Sequence, residues 1–364
     1  MKKLPKIKNK LVRLTAQNNG IPALNVKICL YLEYYYFLGG ILYKNIGTGL
    51  LASYENQRRT LKSLNIPFTE KWDGSCDILQ INTPWLKSLW LIKKARRQGK
   101  KVIIWAHVVA EEIPEVFRFG KLIFPIAKKY LAYAYGQADL IFCPSEYTKN
   151  LLIENYGLPA EKLFVQSNGV DCSIYYANHQ KKEEGKKQFG CEKLVIGSVG
   201  LVIPRKGVDK FIKLAETHPE QQFIWFGKIY SKLMAKGLPK VLPNNVKFTG
   251  YVSSGDICAA FNAIDIFIFL SSGENQGMVL LEAAATGLPI LVKELPTYRG
   301  WLIHNENCLI AKNDDEVKKY LDILIEDKSL RERLSKNAQK LAEKEDIKFL
   351  SKKLLKTYKK LLEK

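Results

Sequence analysis

The chain has 364 residues, long for a single core and enough for two domains of roughly 150–200 residues. No window approaches the roughly 18–20 uninterrupted apolar residues that span a bilayer, which argues against a transmembrane helix. The formal net charge is +21, from 57 basic and 36 acidic residues, and implies either a polyanionic partner or a generally lysine-rich proteome.

No nucleic-acid module is recognisable, and many lysines sit beside apolar and aromatic residues, so an anionic membrane surface suits the charge better than nucleic acid. Seven cysteines without a CxxC pair or a histidine at metal spacing suggest neither a disulfide framework nor a zinc site. The basic Met1 to Arg13 is followed by no continuous apolar run, so no signal peptide is expected and the cytoplasm is the simplest compartment.

Residues 1–25 form a basic extension, either a membrane-seeking arm or a disordered tail. A first α/β domain is expected over 26–180, opening with the strand Val26 to Leu32. A glycine-rich loop through Gly39, Gly40, Gly47 and Gly49 leads into a helix over 50–64. Such a loop lets backbone approach a phosphate, although Gly39, Gly40 and Gly49 could serve the turn alone; Gly47 is the candidate ligand contact. A strand over 77–82, a basic helix over 87–98 and a strand over 101–107 follow. His107 thus stands at a strand's carboxyl end, where open α/β sheets bind ligands. Residues 116–135 mix aromatic and basic side chains around Pro125, which should break the run. They suit an interfacial membrane segment or a helix burying its rings. Strands over 138–145 and 163–165 follow, and the lysine-rich stretch 172–192 reads as a linker.

A second α/β domain is expected over 181–345. Its first strand ends at Gly200, and the turn to the next helix carries Arg205 and Lys206. Paired cations there would neutralise a bound phosphate group. After strands over 223–227 and 246–252, the most informative stretch is Ile264 to Lys293, a strand–loop–helix–strand unit. Its loop, 271–277, carries Glu274, and its helix, starting at Met278, carries Glu282 four residues on, on the same side as the helix start. A helix start holds phosphate, and carboxylates beside it accept hydrogen bonds from hydroxyls. A nucleotide sugar has that layout. Residues 346–364 close the chain as an amphipathic helix.

The stretch 271–289 resembles the Glu-x7-Glu signature of retaining glycosyltransferases of family 4, which have the GT-B fold. The resemblance implies two Rossmann-like α/β domains facing across a cleft, with the last helix returning to the first domain. It implies that Glu274 contacts the donor sugar, Glu282 the ribose, and the loop Asn275, Gln276, Gly277, Met278 and Val279 the diphosphate region, through the backbone amides of its last three residues. His107 and Glu111 look like the family's first-domain histidine segment, in which the histidine touches the donor sugar. Gly200 and Lys206 match the family's second-domain motif; its arginine place holds Leu201, so Arg205 is the substitute. Tyr251 and Val252 fall where relatives seat the nucleobase.

The implied reaction is transfer of a hexose from UDP-glucose or UDP-galactose with retention. The acceptor is expected to be a membrane lipid, diacylglycerol or glucosyldiacylglycerol, reached by peripheral binding at the inner face of the cell membrane. No DxD-type motif is present, so no metal is required, although magnesium is compatible. Two other readings are a capsule or cell-wall polysaccharide transferase acting on a polyprenyl-linked acceptor and a non-catalytic nucleotide-sugar-binding regulatory subunit. Leu201 and Gln276, where the family usually has other residues, motivate the last.

Overall fold

The structure, a computed structural model, describes residues 25–33, 48–113, 120–229, 238–239 and 241–363. The basic extension up to residue 24, Gly39, Gly40 and Gly47 of the glycine-rich loop, and residues 116–119 of the aromatic segment lie outside the described residues.

The first half runs β1 (Ile28–Tyr31), α1 (Gly49–Ser63), β2 (Phe68–Thr69), β3 (Ile78–Ile81), α2 (Leu86–Arg97), β4 (Lys101–Trp105), α3 (Gly120–Gly136), β5 (Leu140–Cys143), α4 (Glu146–Tyr156) and β6 (Leu163–Val165). The second runs α5 (His179–Phe189), β7 (Val195–Val199), α6 (Val208–Thr217), β8 (Gln222–Phe226), β9 (Val246–Gly250), α7 (Ile257–Asn262), β10 (Ile266–Phe269), α8 (Met278–Ala285), β11 (Ile290–Lys293), β12 (Leu309–Ala311), α9 (Asp314–Glu326) and α10 (Lys328–Lys344). A last helix, α11 (Ile347–Glu363), follows.

Each half is a parallel sheet, ordered β2-β1-β3-β4-β5-β6 and β12-β11-β10-β7-β8-β9. Near-continuous apolar strands such as Val-Ile-Ile in β4 and Ile-Phe-Ile-Phe in β10 are buried on both faces, as helices on either side of a parallel sheet require. In each sheet the chain reverses its direction of winding once, between β1 and β3 and between β7 and β10. Crevices at the carboxyl ends of such strand pairs are the usual ligand sites of this architecture.

The amphipathic α11 sends Leu354, Leu355, Tyr358 and Leu361 into the same core as Ile28, Leu30 and Phe142 of the first sheet. The last helix therefore returns to the first domain, as the resemblance implied. Val170 bridges the chain at its entry, its N–H donating to the Glu345 carbonyl and its carbonyl accepting from the Ile347 N–H, both at 3.0 Å.

Two local readings change. The lysine-rich stretch read as a linker holds α5, because Lys182 and Lys186, one turn apart, both pair with Asp265, at 2.7 and 3.0 Å. Gly185 lets that helix lie directly on the Ala259 carbonyl. And α3 runs through Pro125, whose missing N–H removes one bond from its second turn, while Leu131, Ala134 and Tyr135 anchor the rest of the helix in the core.

Candidate active site

Arg205 and Lys206 follow β7, and Glu274 follows β10, so the reversal in the second sheet brings them together. Gly207 makes this possible. Its φ is +77°, and a Cβ there would stand 2.3 Å from the Leu270 carbonyl oxygen, so only glycine lets the Arg205–Lys206 turn lie against the end of β10. The Lys206 ammonium donates to Glu274 Oε1, which also accepts from the Ser271 hydroxyl at 2.7 Å. The Lys206 Nζ lies over the Phe269 ring, 5.0 Å from its centroid. Arg205 Nη1 donates to the Gly273 carbonyl and lies 3.8 Å from both Glu274 and Glu112, the latter reaching over from the first domain. The buried Nε of Arg205 has no hydrogen-bond partner among the described residues, a cationic donor left over for an anion.

Beside this cluster α8 begins at Gly277, whose φ of +82° turns the loop into the helix, and no side chain caps that start. Its first amides are thus available to a ligand. Glu282 lies half-buried one turn further on, beside the Tyr175 hydroxyl.

The two amide side chains of the loop are used to join the domains. Asn275 Nδ2 donates to the His107 carbonyl at 2.9 Å, and the Asn275 carbonyl accepts from the hydroxyls of Ser145 (2.8 Å) and Thr297 (2.9 Å). Gln276 donates to Ser167 Oγ at 2.6 Å and accepts from the Asn168 N–H at 3.0 Å. The unusual Gln276 is thus matched by polar partners in the Ser167–Asn168 segment. His107 stacks on Trp105, centroids 5.4 Å apart and planes within 10°, and its Nε2 lies 3.2 Å from Asn82 Oδ1.

Glu111 is held within the first domain by the Tyr156 hydroxyl at 2.8 Å. Tyr251, 41% exposed, and half-buried Val252 follow β9, separated from β10 by two strands. Gly200 directly follows β7, with its carbonyl accepting from Trp225 Nε1 at 2.9 Å. Gly47 lies outside the described residues. Ser167 and Asn168 belong to the pentad 167–171, which resembles the family's sequence at the end of the first domain but suggested no contact to the loop. Ser145 and Asn82 were read only as parts of strands, since isolated Ser and Asn residues at strand ends carry no periodic or spacing signal.

Charge at the site follows from burial and pairing. Burial works to raise the Glu274 carboxyl, but the adjacent Lys206 and Arg205 outweigh it and hold it below the ordinary carboxylate value. Burial pulls the Lys206 ammonium down against the attraction of Glu274. Burial also lowers His107 to about 3, so its ring is neutral at physiological pH. Glu282 is pushed up to about 7 by burial, against the lowering effect of Tyr175. Among the described residues no group of three His, Cys, Asp or Glu side chains could hold a metal ion. A groove of about 780 Å³ lies at the other end of the second sheet, beside Asp265 and Pro289, away from this chemistry.

Residues 49–174 match the sequence family described as Glycosyltransferase Family 4, and residues 179–341 match Glycosyl transferases group 1. The chain is similar to the processive diacylglycerol alpha-glucosyltransferase of Acholeplasma laidlawii, at 30% identity over 86% of this chain and 94% of that protein. It is also similar to the alpha-galactosylglucosyldiacylglycerol synthase of Streptococcus pneumoniae, at 24% identity over 74% of this chain and 75% of that one. Among solved structures, Anabaena HepE in complex with UDP and glucose shares the fold with a TM-score of 0.73 at 19% identity, over 92% of this chain and 100% of that chain. The two-sheet architecture, the returning last helix and these similarities lead to one conclusion: the chain belongs to the family 4 (group 1) glycosyltransferases and is a glycosyltransferase of the GT-B fold.

Proposed function

We propose that the enzyme moves a hexose from UDP-glucose or UDP-galactose to a membrane lipid, diacylglycerol or glucosyldiacylglycerol, with retention of configuration. The observation that carries this reading is the joining of Glu274, Lys206 and Arg205 beside the uncapped start of α8. In this reading the diphosphate lies on the α8 amides, with Arg205 and Lys206 neutralising the charge that builds as the sugar leaves. Glu274 accepts from sugar hydroxyls and Glu282 from the ribose. Glu274 is tied by Lys206 and Ser271, which argues against a free carboxylate nucleophile. The acceptor oxygen then attacks the anomeric carbon on the face that the phosphate leaves, and the departing phosphate oxygen takes the acceptor proton.

The lipid acceptor is supported by the names of the two curated relatives and by a surface on the first domain. Trp85, Leu86 and Trp90 at the start of α2, and Leu122, Ile123 and Ile126 on α3, are exposed. The two helices are joined there by the Tyr130 hydroxyl on the Pro84 carbonyl, at 2.8 Å. Lys87, Lys93, Lys121 and Lys129 surround them, all exposed. Apolar side chains ringed by cations suit the headgroup boundary of an anionic bilayer. The aromatic segment thus divides its roles, one face in the core and one free. Among the described residues no helix is long and apolar enough to cross a membrane, so peripheral attachment at the cytoplasmic face is the form proposed.

The test is the anomeric configuration of the product formed on liposomes from each donor with each lipid. An α-glycosidic bond from an α-linked donor is expected, and a β-glycosidic product would contradict the retaining mechanism.

A further inference from the structure

A continuous line of buried side chains runs from the last helix to His107. The Tyr358 hydroxyl meets Gln80 Oε1 at 2.7 Å, Gln80 Nε2 meets Gln57 Oε1 at 2.8 Å, and Gln57 Nε2 meets Asn82 Oδ1 at 2.7 Å. Asn82 Oδ1 in turn faces His107 Nε2 at 3.2 Å. Tyr358, Gln80 and Asn82 are fully buried, and Gln57 is 5% exposed.

The polarity of this line is set at the Tyr358 end, and a longer contact at the other end agrees with it. Gln80 Oε1 is the only partner of the Tyr358 hydroxyl among the described residues, so the phenol must donate or leave its proton unpaired inside the core. Each amide then accepts on its tyrosine side and donates toward Asn82. At the far end Asn82 Nδ2 points to the Tyr31 carbonyl at 3.4 Å, which again turns Oδ1 toward the imidazole. An oxygen that already accepts from Gln57 can only accept from His107.

We infer that Tyr358, Gln80, Gln57 and Asn82 are positioning residues that fix His107 as the Nε2–H tautomer and leave Nδ1 as an acceptor for a substrate hydroxyl. Trp105 fixes the plane of the ring, and the Asn275 contact to the His107 carbonyl places the residue against the Glu274 loop. The burial that keeps the ring neutral supports the same assignment. An acceptor nitrogen favours a hydroxyl and disfavours a carboxylate, so a neutral hexose is preferred over a uronate at this position. The substrate part of this inference rests on the function proposed above, whereas the tautomer does not.

The test uses long-range proton–nitrogen NMR spectra of the full-length protein labelled with 15N-histidine. His107 is identified among the four histidines by the signal lost in His107→Ala. The expected spectrum of the ligand-free protein shows Nε2 protonated and Nδ1 bare. Tyr358→Phe keeps the ring but removes the proton that sets the polarity, so a mixture of tautomers and an about fivefold fall in turnover with UDP-glucose are expected. If that variant does not fold, Gln80→Met breaks the same link and is read in the same way. An Nδ1–H signal in the unaltered protein, or a variant with unchanged tautomer, overturns the relay whatever the enzyme's substrate. Turnover of UDP-glucuronate equal to that of UDP-glucose, with the tautomer as expected, overturns only the hydroxyl assignment. Absence of turnover with any UDP-sugar in the presence of the Nε2–H signal counts against the proposed function and leaves the relay standing.

Discussion

Glu274 and Lys206 form a pair that is almost wholly removed from water, with side chains 10% and 16% exposed. Replacing one member of such a pair leaves the other charge uncompensated. Glu274→Gln is therefore expected to lower turnover by a hundredfold or more, on the order of removing one charge-stabilising group. It should also cost about 3 kcal/mol of stability, measurable by urea unfolding. Glu282 carries a pH prediction. Its carboxyl rises from an ordinary 4.5 to about 7 in the fold because burial disfavours the charge. Between those values the folded state binds more protons than the unfolded one, so stability falls as pH rises through this window and levels off above it. The loss is about 3 kcal/mol, and Glu282→Gln should flatten it in unfolding curves taken from pH 4 to 8. Both carboxylates could be singled out because the strand–loop–helix pattern around them, through Pro289, resembles a family signature; their eight-residue spacing alone would not have sufficed. The contacts of Asn82, Ser145 and Ser167 were not legible, because they arise only when distant strand ends meet.

The strand–loop–helix units were readable because apolar runs of strand length alternate with helix formers and end at Gly or Pro, as at Gly287 and Pro289. The linker reading of 172–192 failed for a reason that sequence conceals. Lysine-rich composition looks solvated until a buried-side aspartate, Asp265, is supplied by another element. The short edge strands β2 and β12 were also illegible, being two and three residues long. The turn between β7 and α6 carries the clearest prediction at this scale. Gly207→Ala forces a methyl into the Leu270 carbonyl at a backbone conformation that alanine disfavours. It should destabilise the protein by about 2 kcal/mol or more and depress turnover by displacing both cations. Gly99→Ala, at a positive φ but with open space around its Cβ, should cost about 1 kcal/mol and spare turnover, and the two can be compared by thermal unfolding.

For the whole molecule, the net charge and the apolar surface on α2 and α3 lead to one expectation about location. Cosedimentation with liposomes should rise with the fraction of anionic lipid and fall as salt is added. Leu122→Asp with Ile126→Asp should lower binding by more than tenfold, since each exposed apolar side chain contributes on the order of 1 kcal/mol when it enters the interface. UDP release in solution should be unaffected, because both side chains are exposed on the first-domain helix α3, whereas Glu274 belongs to the second domain. Binding that is insensitive to both lipid charge and these substitutions would leave the +21 charge to general composition.

The central claim is that one site, built from Glu274, Lys206, Arg205 and the start of α8, moves sugar from a nucleotide to a lipid. The most direct measurement follows radiolabelled UDP-glucose and UDP-galactose, each incubated with the enzyme on anionic liposomes containing diacylglycerol or glucosyldiacylglycerol. Label should enter the organic phase with one donor and one lipid, and Glu274→Gln should abolish it. Label that stays in the aqueous phase with every combination, while UDP is still released, would contradict the lipid acceptor. Equal transfer by Glu274→Gln would contradict the site itself.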